Sequence, residues 1–277
     1  KKVMFLGAAF TYGQGNSYGD TYANLISDYL KTKGITKSIN AAVPAQLPNR
    51  QLCWFIQEGY KYKPEIIIHT LIGNTNLSIP NNISDLANLC DELSQCKIHG
   101  YTVNKNGYLI SNKNILINYK YYLKNSALIF YSWYFYEKSK SKFFKKDKKI
   151  INFEDLSHKN PHTLPMYENY LKVINKYSKN TKVIFILLPN SYNIHLNDRS
   201  RWSHQSINFD QEIIENNHFV KKIKKQYNFI DLYSVFLEKG KMDRIYHYLD
   251  ATLNIYGNKL TFDTFKEYCE VTKCYVN

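Results

Sequence analysis

Two apolar, β-branched runs constrain this chain more than any other feature: residues 65–72 (EIIIHTLI) and 181–188 (TKVIFILL). A strand with one wet face alternates polar and apolar side chains. Strands that are apolar on both faces belong inside parallel sheets covered by helices on both sides. Shorter runs of the same kind stand at residues 3–6, 37–42 and 228–232. Helical patterns lie between them. Residues 21–31 set Tyr22, Leu25, Ile26, Tyr29 and Leu30 on one face, and residues 51–60 carry Leu52, Phe55 and Ile56. Further helices are expected at about 166–178, 217–226 and 260–271. This alternation predicts a three-layer α/β/α sandwich with about five parallel strands. Right-handed crossovers put every strand's carboxyl end on one edge, where ligands bind.

The chain of 277 residues is 44% hydrophobic, enough to bury a sizeable core, and is expected to form one domain over residues 1–277. Residues of about 98–165 break the rhythm and read as an insertion. It holds an aromatic stretch at 128–136, then a basic run with Lys138, Lys140, Lys142, Lys145, Lys146, Lys148 and Lys149. An aromatic stripe beside cations suits an anionic membrane surface or an acidic glycan. A helix packed on the sheet with a solvated lysine loop is the plainer reading. The net charge of +14 favours acidic partners without choosing among them. The abundance of Tyr (25) and Phe (15) also fits an AT-rich coding sequence. No run of 18 or more apolar residues is present, so no membrane-spanning helix is expected. No signal-peptide pattern opens the chain, whose first residue is Lys and not Met, which leaves room for an upstream segment. Cytoplasm, membrane surface and periplasm stay open. Five cysteines at 53, 90, 96, 269 and 274 match no zinc spacing. They are expected to be reduced and structural, although Cys90 with Cys96 and Cys269 with Cys274 could each close a small loop. No Gly-rich phosphate loop or metal-ligand cluster stands out, so no cofactor and no metal are expected.

Four blocks fall at the predicted strand ends. The first is Val3-Met4-Phe5-Leu6-Gly7-Ala8-Ala9-Phe10-Thr11-Tyr12-Gly13-Gln14-Gly15. The second is Ile39-Asn40-Ala41-Ala42-Val43-Pro44-Ala45-Gln46, and the third Leu71-Ile72-Gly73-Asn74-Thr75. The fourth is Tyr248-Leu249-Asp250-Ala251-Thr252-Leu253-Asn254-Ile255-Tyr256-Gly257-Asn258, just before the closing helix. In this order the blocks resemble those of SGNH/GDSL hydrolases, and the resemblance covers most of the chain outside the insertion. The family reads roughly Gly-Asp-Ser-Phe-Thr-Tyr-Gly in the first block, Asn-x-Gly-x-Pro-Gly in the second and Asp-Gly-His-x-Asn-x-x-Gly in the last.

The resemblance implies an SGNH-type, flavodoxin-like hydrolase fold and a serine esterase or acyltransferase site. Ala9 holds the nucleophile position and Ala8 that of the neighbouring Asp. The backbone N–H of Ala45 and the side-chain amide of Asn74 would form the oxyanion hole. Asp250 would orient the base, and the base position aligns with Thr252. An original histidine one residue earlier would instead make Ala251 the base position. Alanine has no oxygen with which to attack a carbonyl, so the chain resembles an esterase without its nucleophile. Engineered alanines and natural loss both account for this. The resemblance implies an acylated carbohydrate or lipid ester as substrate, with no nucleic acid partner. The alternatives are a catalytically inactive module that binds a glycan, membrane or partner, and a membrane-surface scaffold built on the insertion. Among the histidines, His69 reads as a core residue in the third strand. His247 stands near enough to Asp250 to approach the site as a substitute base; His204 carries no assignment.

Overall fold

The computed structural model describes residues 1–44, 48–72, 101–103, 109–111, 174–175, 178, 181–202, 220–221, 224–248 and 251–275. The strands in chain order are β1 (Lys2–Leu6), β2 (Lys37–Asn40), β3 (Ile66–Ile72), β4 (Tyr101–Val103), β5 (Leu109–Ser111), β6 (Lys182–Leu188) and β7 (Asn228–Asp231). The helices are α1 (Ala9–Tyr12), α2 (Tyr22–Thr32), α3 (Pro48–Gln57), α4 (Ser191–Ile194), α5 (Arg199–Trp202), α6 (Tyr233–Lys239) and α7 (Ile255–Thr272). Five strands form one sheet in the order β2-β1-β3-β6-β7, and every neighbouring pair is parallel. The strand order reverses between β1 and β3. In such sheets the crevice at the carboxyl ends of these two strands is where ligands bind.

Strand parity divides the core into two layers. Met4 and Leu6 of β1, Ile67 and Leu71 of β3, and Val183, Phe185 and Leu187 of β6 pack with Leu52, Trp54, Phe55 and Ile56 of α3. Val3 and Phe5, Ile66 and Ile68, and Ile184, Ile186 and Leu188 face the other way. They meet Tyr22, Ala23, Ile26 and Leu30 of α2, Phe236 of α6 and Phe265 of α7. Burial on both faces is why β3 and β6 read as continuous apolar runs.

Element ends differ from expectation where side chains take over backbone partners. β2 stops at Asn40, two residues early, because the Asn40 side-chain oxygen accepts the Ala42 N–H at 3.1 Å and turns the chain. The second long helix starts at Pro48, where a missing N–H costs nothing in the first turn. It ends at Gln57, and a 3₁₀ turn, Gly59–Tyr62, follows. α7 begins at Ile255, five residues before its expected start, because the Asn254 side chain caps it by accepting the Gly257 N–H at 2.9 Å. α6 was not expected. Cys269 and Cys274 form a disulfide at the end of α7, in place of the reduced pair that was expected. Cys90 and Cys96 lie outside the described residues. In the predicted insertion the described part is the antiparallel pair β4 and β5. The aromatic stretch and the seven lysines from Lys138 to Lys149 lie outside the described residues, as does most of the helices expected at 166–178 and 217–226. Among the described residues no helix is long and apolar enough to cross a membrane.

A buried hydrogen-bond cluster joins the elements around the β1 exit. The Tyr22 hydroxyl lies 2.6 Å from both Thr11 Oγ1 and Thr70 Oγ1, linking α2 to α1 and β3. The Tyr22 N–H donates to Asn258 Oδ1 at 2.9 Å, and Asn258 Nδ2 donates to the carbonyls of Asn254 and Leu253. Burial raises the Tyr22 phenol above its ordinary range, so it stays protonated. Tyr22→Phe removes a hydroxyl shared by two buried threonines. Chemical denaturation is expected to show a loss of about 1–3 kcal/mol. An unchanged midpoint would contradict the cluster's role.

Candidate active site

The first block leaves the sheet by a sharp turn. β1 ends at Leu6, and a Cβ on the buried Gly7 would collide with the Thr11 side chain. Only glycine lets the turn fold back this closely. The Ala8 carbonyl accepts the Tyr12 N–H at 3.0 Å. The Ala9 carbonyl accepts those of Gly13 and Gln14 at 3.0 and 3.1 Å. Ala9 therefore stands half-buried at the first position of α1, on the carboxyl edge of the sheet. The second block is tied to the first. Asn40 Nδ2 donates to the Thr11 carbonyl at 3.0 Å, and the Val43 N–H donates to the Gly7 carbonyl at 3.3 Å.

The last block sits on a hairpin whose described arms are residues 244–248 and 251–254. Tyr246 and Leu253 form an antiparallel bridge. The His247 N–H donates to the Thr252 carbonyl at 2.7 Å, and the Asn254 N–H to the Ile245 carbonyl at 3.0 Å. One flank of the hairpin meets the first block. Phe10 packs edge-on against Tyr246, with ring centroids 6.2 Å apart. Thr252 Oγ1 donates to the Gln14 carbonyl at 3.2 Å, and Asn16 Nδ2 donates to the Leu253 carbonyl at 2.7 Å. His247 Nε2 lies 3.4 Å from Asn16 Oδ1.

The other flank is anchored on the segment after β6. Arg244 Nη2 reaches both carboxylate oxygens of Asp198, at 2.9 and 2.8 Å, and Asp198 is 1% exposed. The Tyr246 hydroxyl donates to the Pro189 carbonyl at 2.5 Å, and the Ile245 N–H to His195 Nε2 at 3.2 Å. Asn254 caps α7 and also donates to the Arg244 carbonyl at 2.6 Å. A Cβ on Gly257 would run into the Ile245 carbonyl. The Asn and final Gly of the last block thus dock α7 against the hairpin.

Of the sequence-predicted site residues, Ala9, Ala251 and Thr252 are brought to the same edge through the Gln14 and Asn16 contacts. Ala45, Asn74 and Asp250 lie outside the described residues, as does His204. His247 faces Asn16, so it does approach the first block. His69 is fully buried in β3, 3.1 Å from Gln51 Oε1, and burial lowers its pKa to about 3. It is a neutral core residue. Asn16, Arg244, Asp198 and His195 were not found by sequence reasoning, and Asn40 stood in the second block without an assigned role. Asn16 sat beside the first block; Arg244, Asp198 and His195 act through contacts distant in sequence. Among the described residues no group of His, Cys, Asp or Glu is arranged to hold a metal ion.

No profile of a known family matches the chain, and no curated protein matches it in sequence. Solved structures do match. An acetyl xylan esterase, AlAXEase, superposes over 96% of this chain and 98% of its own, with a TM-score of 0.50 and 15% identity. TesA superposes over 98% and 99%, with a TM-score of 0.50 and 8% identity. A two-domain esterase active on acetylated mannans, co-crystallised with mannopentaose, covers all of this chain with a TM-score of 0.51 and 10% identity. The chain spans about half the length of that two-domain protein. The chain has the SGNH/GDSL hydrolase fold.

Within the SGNH/GDSL fold, the backbone of the last block holds one residue in an unusual conformation. Ala251 adopts φ +57°, in the left-handed region that favours glycine. The family pattern has its Gly in the middle of Asp-Gly-His. The strained Ala251 is thus assigned to a position suited to glycine. Ala251→Gly is expected to relieve that strain and raise stability by about 1 kcal/mol in thermal denaturation. Destabilisation by this change would argue against the assignment.

Proposed function

We propose that this chain is an SGNH-type O-acyl esterase or acyltransferase scaffold, directed at an acylated carbohydrate ester, in a form that lacks its nucleophile. The single observation that supports the reading is the docking of the segment carrying Thr252 onto the first block, through the Gln14 and Asn16 contacts, beside the carboxyl edge of the sheet. The substrate class rests on two of the structural relatives, an acetyl xylan esterase and an esterase active on acetylated mannans. We read residues 1–277 as one such domain.

In the intact chemistry a serine oxygen attacks the acyl carbonyl while a histidine takes its proton. The alcohol leaves with a proton returned by the histidine, and water then releases the acid from the enzyme. Ala9 cannot form the acyl bond and Thr252 cannot take the proton at neutral pH. Asn74 and the Ala45 N–H are assigned to the oxyanion hole, and Asp250 to the orienting acid. What stays is binding and polarisation of the ester, with no covalent step. Loss of the nucleophile alone costs such enzymes about a millionfold in kcat.

A second reading, a binding module that holds an acylated glycan without turning it over, is favoured by the Thr252 hydroxyl. It is committed to the Gln14 carbonyl and closes the hairpin on the first block. Acetate release from acetylated xylo- and manno-oligosaccharides, with binding followed by calorimetry, tests both. The unaltered chain is expected to bind the acetylated sugar in preference to its deacetylated form and to release no acetate. The Ala9→Ser, Thr252→His double variant is expected to release acetate. Binding without release by the double variant would favour the binding module. Neither binding nor release by either protein would overturn the ester reading.

A further inference from the structure

His195 is placed to couple the seating of the 244–254 hairpin to proton concentration. It follows α4, with its own N–H donating to the Ser191 carbonyl at 2.7 Å, so its backbone is fixed to the segment after β6. Its Nε2 accepts the N–H of Ile245, a fully buried residue. A ring nitrogen that accepts a hydrogen bond carries no proton, so this arrangement exists only for the neutral imidazole with hydrogen on Nδ1. Protonation would set a second N–H against the N–H of Ile245. The Ile245 donor would then be buried without an acceptor.

The surroundings reinforce this. Among the described residues, the charged groups that face His195 are Arg244, on the hairpin itself, and Asp198, three residues further along its own segment. Asp198 already carries both of its oxygens on Arg244. A new imidazolium would therefore meet the guanidinium of Arg244 and compete for a carboxylate that is fully engaged. The third neighbour, the Tyr246 ring, lies edge-on with centroids 5.9 Å apart, and its buried phenol is held protonated. Arg199 on α5 points its Nε at the Tyr192 carbonyl, 3.3 Å away.

We infer that His195 is a positioning residue that seats the hairpin bearing Ala251 and Thr252 at neutral pH and releases it on acidification. Burial, then Arg244, lowers the His195 pKa below the ordinary 6.5, while Asp198 opposes the shift. A histidine with a lowered folded pKa contributes its full stabilisation above 6.5. That contribution is lost as pH falls from 6.5 through the lowered value. The hairpin is anchored on its other flank by Asn16 and Gln14. Arg244 on Asp198 and Tyr246 on Pro189 still hold the near flank, so release is local to the Ile245 amide and leaves the sheet in place.

This inference rests on the ester-site reading only for its effect on ligand; the hairpin itself gives a separate readout. Hydrogen exchange at the Ile245 amide, corrected for intrinsic exchange, is compared at about pH 7.5 and about pH 5, with the Ile67 amide of β3 as an internal control. In the unaltered chain, Ile245 protection is expected to fall about tenfold relative to Ile67, the equivalent of one unsatisfied buried hydrogen bond. His195→Gln keeps an acceptor oxygen but cannot titrate, and its Ile245 protection is expected to stay level. An equal fall in His195→Gln, or no fall in the unaltered chain, would overturn the proposal. Binding of an acetylated xylo-oligosaccharide is measured beside it and is expected to weaken in acid only when His195 is present. Absence of binding at every pH, with the exchange result intact, would overturn the ester reading and leave the His195 device supported.

Discussion

Everything around the candidate site depends on Tyr22. Its hydroxyl closes on Thr11 and Thr70, and its backbone N–H closes on Asn258. One residue thereby joins the turn after β1, the central strand, the first long helix and the last. All these groups are buried, so each would be costly without its partner. Asn258 passes the constraint on to the carbonyls of Leu253 and Asn254, at the base of the hairpin that carries Thr252. The position of Ala9 relative to Thr252 is fixed by this cluster and by the Asn16 and Gln14 contacts. None of these groups is a nucleophile or a base.

The hairpin is held by groups other than those proposed for the chemistry. Arg244 grips the buried Asp198 with two hydrogen bonds, and Tyr246 reaches the Pro189 carbonyl. Removing one partner of a buried ion pair is far more destabilising than replacing both. These contacts persist for stability whether or not the site turns over. Alanine at position 9 and threonine at position 252 therefore need not loosen the scaffold.

Much of this was legible in the sequence, for physical reasons that differ by element. β3 and β6 were clear because burial on both faces forces a continuous apolar run. The approach of the first and last blocks was expected from the resemblance to SGNH/GDSL hydrolases, and the structure shows which residues make it close. Gly7 admits the Thr11 side chain, and Gly257 admits the Ile245 carbonyl. The start of α7 was missed because its first turn, Ile255 to Asn258, reads as loop until the Asn254 cap is seen. The Tyr22 cluster and the Arg244, Asp198 and His195 anchor were invisible because their partners lie up to 236 residues apart. No local period encodes such pairs. The left-handed backbone of Ala251 was also invisible, because composition carries no backbone angle.

The central claim, a proposal, is that Ala9 occupies the nucleophile position of an SGNH-type site. The most direct measurement is intact-protein mass spectrometry after exposure to a fluorophosphonate, which labels only a serine activated by a base and an oxyanion hole. The account predicts no adduct on the unaltered chain and a single adduct on the Ala9→Ser, Thr252→His variant, mapping by peptide digestion to position 9. A folded double variant that stays unlabelled, or an adduct elsewhere, would contradict it.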